Sequence, residues 1–404
     1  MKRSLNVIRW FVGLLFIFSG LIKANDPLGL SYKMQEFFEV WGLQSLNDYT
    51  LVLSLVMNVF EVLAGVAVII GWRMKLFSWL LLLLIIFFCF LTAYAYITGN
   101  IKTCGCFGDC IPLTPLTSFI KDLILLILIL VLFVNRNNIK PSVHTPLPQT
   151  ILLLCIAGVV FLQWYALNYL PPKDCLPYKV GDNIIANMQV KPGDEPVSEF
   201  TYVYKKDGKT LELSQDSLEK VNLDSTYEFV KRNEKVIKEG VPAKIAEFSL
   251  ISLDGNDTTT DILNQQNYYV MLFANDFSTY DKWHNKDFDE LLNKLSAKHI
   301  SFFLVTSQKD KAVELFGNDK RVNILIGDGT VIKTAARVNA TYFVMQKADV
   351  KGKYSYKNSD ELNEQVDALP SNTSSAFIRE TTNDKREHLT SHVSRLTANH
   401  LQPS

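Results

Sequence analysis

Three cysteines stand close together in the run CGCFGDC, residues 104–110, between two apolar segments of membrane-spanning length. Two glycines in so short a run favour a bent backbone that brings sulfur atoms together. A disulfide needs Cα atoms roughly 4.4–6.8 Å apart, and Cys-x-Cys or Cys-x-x-x-Cys pairs in a glycine-rich loop can reach that separation. The pattern therefore predicts a thiol–disulfide pair held at a membrane surface.

Other uses of the same cysteines stay open at this point. The loop could carry an inert structural disulfide or free thiols, or its thiols could bind zinc together with Asp109. The paired Cys-x2-Cys knuckles and nearby histidines of zinc sites are missing, so no metal is expected.

Within the loop, we expect Cys104 and Cys106 to form the exchanging pair. Their bridge would close a very short ring, and it should therefore be strained and easily reduced. Lys102 supplies a nearby positive charge that should lower the pKa of the attacking thiol. Cys110, together with Cys175, would receive or resolve the bond. Cys175 could equally tether the soluble part of the chain to the membrane part.

Amino-acid composition divides the chain into an apolar N-terminal part and a more polar C-terminal part. With 404 residues and a formal net charge of zero, it has room for two or three domains and lacks the charge excess of a nucleic-acid-binding protein. Apolar residues dominate before Leu170, and an ordinary soluble mixture follows. The predicted architecture is a membrane helical bundle followed by a soluble α/β domain.

Five apolar runs are near the ~20 residues that cross a bilayer. They lie at residues 10–22, 51–72, 76–97, 116–134 and 150–170. The first run follows a basic flank but lacks a small-residue cleavage site, so we interpret it as a retained helix and not as a signal peptide.

The positive-inside rule predicts a cytoplasmic N-terminus. Seven basic residues then lie on the cytoplasmic side and four on the other, the latter being Lys23, Lys33, Lys102 and Lys121. The cysteine loop and everything after Leu170 share the outer face, where disulfides persist. The prediction is a multi-pass protein of a bacterial inner membrane whose C-terminal domain faces the periplasm.

Glu61 lies near the middle of the second span. An ionised carboxylate there costs about 2.5–3.5 kcal/mol or more unless it faces a partner or water. We expect it to be protonated, to pair with a lysine such as Lys23 or Lys121, or to take part in a proton or quinone site. A membrane quinone is accordingly the candidate cofactor. Lys121 and Asp122 open the fourth span, where the lysine can snorkel to the surface.

These residues resemble a known family. The run FSGLIKANDPLG at residues 18–29, Glu61 with Gly65, and CGCFG at residues 104–108 are together similar to DoxX-type membrane proteins and their methylamine-utilisation MauE branch, over about residues 5–135. The resemblance implies a four-helix membrane core, similar to the architecture of vitamin K epoxide reductase, that supports maturation or disulfide formation of exported dehydrogenase subunits. Methylamine metabolism is the family label. Cys110 and the long C-terminal part depart from the pattern.

Residues 240–357 resemble a thioredoxin-like domain of the peroxiredoxin/TlpA type. Phe277 and Tyr280 stand where that family has its two cysteines, and Ala340 replaces the usual cis-proline. A thiolate is the nucleophile of this chemistry. The resemblance therefore implies a redox-inactive module for binding or scaffolding.

The predicted domains cover the whole chain. They are the four-helix membrane domain at 1–140, a linker with the fifth span at 141–172, an outer-face linker with a small hairpin around Asp207-Gly208 at 173–239, the thioredoxin-like domain at 240–357, and a polar, disordered tail at 358–404.

Two functions follow from this sequence. The first is support of thiol–disulfide exchange with a thiol-containing exported client, through Cys104, Cys106, Cys110, Cys175 and Glu61. The second is a non-catalytic membrane scaffold with a structural loop disulfide. Whether the protein is itself an enzyme stays open.

Overall fold

Long apolar helices form the N-terminal part of the chain. The computed structural model describes residues 2–101, 103–139, 141, 147–206, 209–218, 226–238 and 240–372. Within these residues, five helices are long and apolar enough to cross a membrane, at Arg3–Asn25, Gln44–Ile70, Met74–Thr98, Pro115–Val134 and Leu147–Tyr169. The predicted five spans are confirmed.

The helices of this part are α1 (Lys2–Asn25), α2 (Pro27–Val40), α3 (Thr50–Ile70), α4 (Met74–Thr98), α5 (Pro115–Val134) and α6 (Leu147–Tyr169). A short 3-10 helix, Gln44–Tyr49, precedes α3. With 14 residues, α2 is too short to span the bilayer, and the apolar pattern did not predict it. The Asp26 side chain accepts a hydrogen bond from Gly29 N at 3.1 Å, and Pro27 occupies the first helical position. Both residues favour a helix start at this point.

The first and third helices cross with their backbones in close contact. A Cβ atom on Gly65 would lie 2.6 Å from the carbonyl oxygen of Gly13, which only glycine permits. Small residues let membrane helices approach in this way. On the other side of α3, Asn58 Nδ2 donates to Gln163 Oε1 of α6 at 3.1 Å, and this buried bond attaches the fifth span.

A small antiparallel sheet follows the last span. Helix α7 (Ile184–Met188) comes before it. The sheet is formed by β1 (Val197–Lys206), β2 (Lys209–Ser214) and β3 (Glu228–Lys238), with strand order β2-β1-β3, and α8 (Gln215–Leu218) lies between β2 and β3. The first two strands pair as the predicted hairpin, although its turn, residues 207–208, lies outside the described residues. The third strand was not predicted.

The C-terminal domain is built on a mixed six-stranded sheet of order β4-β7-β6-β5-β8-β9. Its elements are β4 (Ile251–Ser252), α9 (Thr259–Leu263), β5 (Tyr268–Phe273), α10 (Tyr280–Trp283), α11 (Lys286–Ala297), β6 (Ser301–Thr306), α12 (Lys309–Phe316), β7 (Val322–Ile326), α13 (Gly329–Ala335), β8 (Thr341–Gln346), β9 (Asp349–Ser355) and α14 (Ser359–Ala368).

Sequence pattern explains the layers of this domain. The continuous apolar run of β5 is buried on both faces, with Tyr269 and Met271 in one core and Val270 and Leu272 in the other. A strand covered on both sides must be apolar throughout. The predicted fold class, a membrane helical bundle followed by an α/β domain, is confirmed.

The C-terminal domain extends beyond its predicted limits at both ends. Before residue 240, Tyr178 and Ile184 lie in its core, and Ile184 N donates to the carbonyl oxygen of Ala348 at 2.8 Å. After residue 357, α14 buries Leu362 and Val366 against the sheet. The prediction of a disordered tail is therefore wrong for Ser359–Ala368. Residues 373–404 lie outside the described residues.

Candidate functional site

The cysteine loop connects α4 to α5 at the end of the bundle on which the C-terminal domain packs. We call this end the loop face. Gly105 has a φ of +67°, which an L side chain rarely adopts, and its carbonyl oxygen accepts from Gly108 N at 3.0 Å. The backbone is bent as the two glycines predicted.

The disulfide of the loop face joins Cys110 to Cys175, with Cα atoms 4.8 Å apart. It closes the loop onto the segment that follows α6, so the tethering alternative for Cys175 describes the structure. Cys104 and Cys106 are free thiols here, and the expected bridge between them is not formed. Cys89 and Cys155, inside the spans, are also free.

The two free thiols of the loop are half-buried. Burial, assisted by the neighbouring Cys106 thiol, raises the pKa of Cys104 to about 11. Burial also raises the pKa of Cys106, against the opposing effect of the Lys121 ammonium. The expected lowering of the thiol pKa is therefore wrong. Its proposed source, Lys102, lies outside the described residues.

Glu61 is fully buried and forms an ion pair with Lys23 near the end of α1. Its other oxygen, Oε2, accepts from Ser19 Oγ at 3.0 Å. The same hydroxyl lies 3.0 Å from the carbonyl oxygen of Cys106. Of the three expectations for this carboxylate, the structure shows the lysine pair, and Ser19 links that pair to the cysteine loop.

A second buried pair stands beside the first. Asp122 is fully buried and pairs with Lys121, while Thr92 Oγ1 donates to its Oδ2 atom at 3.1 Å. Lys121 does not snorkel to the surface: it lies over the Phe107 ring at 5.4 Å and close enough to Cys106 to affect its pKa. Sequence reasoning missed this role, because a charged pair at a span end is compatible with surface exposure.

An apolar cavity of about 510 Å³ lies beneath the loop. Its polar lining comes from three lysines, one carboxylate, two hydroxyls and both free thiols: Lys23, Lys33, Lys121, Asp122, Ser19, Thr92, Cys104 and Cys106. Helix α2 covers one side. Both free thiols thus face a space inside the membrane part, a placement that the sequence did not predict.

Arg337 joins the C-terminal domain to the membrane part. Its side chain is 3 % exposed, and it bonds Asp26 through Nε at 2.8 Å and Asp109 through Nη2 at 2.6 Å. The guanidinium also lies over the ring of Tyr32 at 5.3 Å. One arginine therefore contacts the cap of α2 and the residue next to Cys110. No motif pointed to it, because its acidic partners are 311 and 228 residues away in the chain.

Further contacts hold the same interface. Lys353 Nζ pairs with Asp174 Oδ2 at 2.6 Å, next to Cys175. Asn25 exchanges two hydrogen bonds with the backbone of Lys173, at 2.8 and 3.0 Å. The disulfide and these polar contacts together fix the domain on the loop face.

The turn after β5 of the C-terminal domain holds aromatic side chains. Phe277 and Tyr280 pack with Trp283 and Phe316, at centroid distances of 5.2–6.4 Å. The Asn339-Ala340 peptide is cis, at the position where the family has its cis-proline. Since residues 240–372 contain no cysteine, this domain cannot perform thiol chemistry by itself.

No group of three metal-ligating side chains occurs among the residues that the structure describes. The chemistry of the site therefore depends on four cysteines, two buried ion pairs and the cavity.

Fold and site define a multi-pass membrane protein that carries cysteines on the loop face and a thioredoxin-like domain docked over it. Residues 1–135 match the family described as methylamine utilisation protein MauE. Residues 198–239 match a domain of unknown function (DUF8463). The membrane part is a MauE-type region, fused to a thioredoxin-like domain, as the sequence predicted.

One curated relative supports this arrangement. The chain is 27% identical over 164 residues to Protein TlpB of Flavobacterium psychrophilum, covering 38% of this chain and 44% of that protein. The chain thus spans less than half the length of this relative. No solved structure matches the chain.

The raised thiol pKa predicts how Cys104 reacts with pH. Alkylation by iodoacetamide, followed on the Cys104 peptide by mass spectrometry, should accelerate about tenfold per pH unit between about pH 7 and 10, because only the thiolate reacts. A model peptide thiol should level off near its ordinary pKa of about 8.5. A plateau for Cys104 below about pH 9 would contradict the burial described here.

The Arg337 contacts predict a local effect of its removal. Arg337→Met leaves two acidic groups without their shared partner, which costs on the order of 2–5 kcal/mol. Hydrogen exchange of the first turn of α2 and of the cysteine loop should become faster. Arg321→Met is the matched control, since this arginine pairs only within its own domain, with Asp319 and Asp289. Equal exchange in both variants would show that Arg337 does not hold the interface.

Proposed function

We propose that this protein lies in a bacterial inner membrane and supports thiol–disulfide exchange with exported proteins at its loop face. The observation that carries the proposal is the division of four cysteines into two sets. Cys110 and Cys175 form a disulfide at the domain interface, while Cys104 and Cys106, in the same loop, are thiols that face the cavity.

The exchange needs no external oxidant within a single step. A client dithiol attacks the Cys110–Cys175 disulfide, forms a mixed disulfide, and leaves with its own disulfide while both cysteines become thiols. When Cys104 and Cys106 are joined as a disulfide, the Cys110 and Cys175 thiols attack that bond. The Cys110–Cys175 disulfide then forms again, and Cys104 and Cys106 become thiols. In each step one S–S bond forms, one breaks, and two protons change places.

Topology supports an outward loop face. The positive-inside count favours a cytoplasmic N-terminus, and with five spans the loop face would then lie outside. A disulfide persists on that side and is reduced on the other. The C-terminal domain would accordingly face the periplasm.

Buried charges give Glu61 a role in this function. Through Ser19, the Glu61–Lys23 pair contacts the backbone of Cys106. We assign the pair a positioning role for the inner thiols, because the contact is to the main chain and not to sulfur.

The family name of the membrane part refers to methylamine utilisation. The reactive groups of the site are thiols. We therefore take the client to be an exported protein with a pair of cysteines, and maturation of a dehydrogenase is one case of this class.

The alternative function is a non-catalytic scaffold. Two observations favour it: residues 240–372 contain no cysteine, and Arg337 joins the C-terminal domain to the membrane part. Both are explained if the Cys110–Cys175 disulfide only stabilises the structure.

Trapping distinguishes the two functions. In Cys175→Ser the lone Cys110 thiol should attack the disulfide of an oxidised client and release one client thiol. The mixed disulfide then persists because Cys175 is not present to resolve it, and it should appear as a reductant-sensitive high-mass band on non-reducing gels. Cys110→Ser should do the same through Cys175. Cys155→Ser, in the last span, is the matched control and should trap nothing. If the variants only lower the abundance of the protein and trap no client, the scaffold function is correct.

A further inference from the structure

The cavity opens sideways from the membrane part. Four of its lining residues are 45–61% exposed, Leu53 and Val56 on α3 and Leu83 and Phe87 on α4. All four are apolar and belong to spans, so the surface they share faces lipid. A ligand that enters here comes from the bilayer and is lipid-soluble.

The inner end of the cavity is chemically different from its opening. Three lysines, Lys23, Lys33 and Lys121, line the cavity together with both free thiols. Lys23 pairs with Glu61, Lys121 with Asp122 and Lys33 with Glu36. An ammonium has three N–H donors. Donors therefore remain for an oxygen-bearing group on the ligand.

The size of the cavity fits a ligand whose small headgroup lies inside it and whose tail stays in the lipid. The volume of about 510 Å³ lies within the roughly 300–1,000 Å³ of ligand pockets. An aromatic wall of Phe37, Trp41 and Phe88 offers stacking surfaces for a flat ring.

We propose that this cavity binds an isoprenoid quinone from the bilayer, with its carbonyl oxygens toward Lys23 and Lys121 and its ring beside Cys104 and Cys106. This inference rests on the proposed function, because it names the electron acceptor that restores the inner disulfide.

The redox step balances with this acceptor. Two S–H bonds break and one S–S bond forms between Cys104 and Cys106, which releases two electrons and two protons. The quinone takes up both electrons and both protons on its two oxygens and becomes a quinol. The raised pKa of Cys104 is compatible with this step, since the thiols keep their protons until the acceptor removes them together with the electrons.

A lipid acyl chain is the competing occupant of the cavity. It would fill the apolar opening equally well, but it offers no oxygen to the lysines and no reason for two thiols at the inner end. The experiment must therefore separate a quinone ring from a simple alkyl chain.

Binding is tested on the full chain in nanodiscs of synthetic, quinone-free lipid, with an azido derivative of a short-chain benzoquinone as photolabel. Val56→Trp narrows the opening, whereas Val52→Trp changes the same residue type on the same helix at a position that does not line the cavity. The two valines are 61% and 59% exposed, so the pair is closely matched.

The half-saturating quinone concentration should rise about tenfold or more in Val56→Trp, equivalent to about 1.4 kcal/mol, and stay within about twofold in Val52→Trp. Leu83→Trp, across the opening on α4, repeats the test if Val56→Trp folds poorly, and Leu76→Trp is its control. Equal labelling in variant and control, or equal competition by decanol, would overturn the proposal.

A second measurement separates this inference from the proposed function. The Cys104→Ser/Cys106→Ser double variant should still bind the photolabel, because the thiols are not the binding groups. Reduced wild-type protein under anaerobic conditions should convert about one quinone to quinol per pair of thiols lost, and the double variant should convert none. Binding without conversion overturns the acceptor role, whereas conversion without client trapping contradicts only the proposed function.

Discussion

A carboxylate in the middle of a membrane span must be compensated, and the pairing of Glu61 with Lys23 meets that constraint. The pair joins α3 to the end of α1, and Ser19 extends it to the carbonyl oxygen of Cys106. Removing one partner of a buried ion pair typically costs about 3–5 kcal/mol, because an uncompensated charge remains. The pair therefore contributes, through Ser19, to holding the part of the cysteine loop that carries the cavity-lining Cys106.

The C-terminal domain has a thioredoxin-like fold but no cysteine in residues 240–372. Aromatic packing of Phe277 and Tyr280 replaces the two thiols, while Arg337, close to the cis peptide, contacts the membrane part. The surface next to the cis peptide Asn339-Ala340 thus contacts the cysteine loop of the membrane part. In this account the domain positions the Cys110–Cys175 disulfide, and the membrane part performs the exchange.

Much of the fold could be predicted from the sequence, and less of the site. Span length and the apolar run of β5 depend on local pattern, which a single sequence contains. The pairing of Cys110 with Cys175 did not follow from spacing, because it depends on where α6 ends relative to the loop. The raised pKa of Cys104 and the Arg337 contacts likewise come from burial and from neighbours far away in the chain, for which the sequence holds no local signal.

The central claim is that the four loop-face cysteines form two communicating redox pairs. The most direct test is their redox state in intact cells, measured by acid quenching, differential alkylation and mass spectrometry, in the wild type and in Cys106→Ser. The account predicts that the Cys110–Cys175 disulfide is mostly oxidised in the wild type and becomes mostly reduced or client-bound in Cys106→Ser, because its reoxidation is lost. A disulfide that stays fully oxidised in both would show that the bond is structural and would contradict the account.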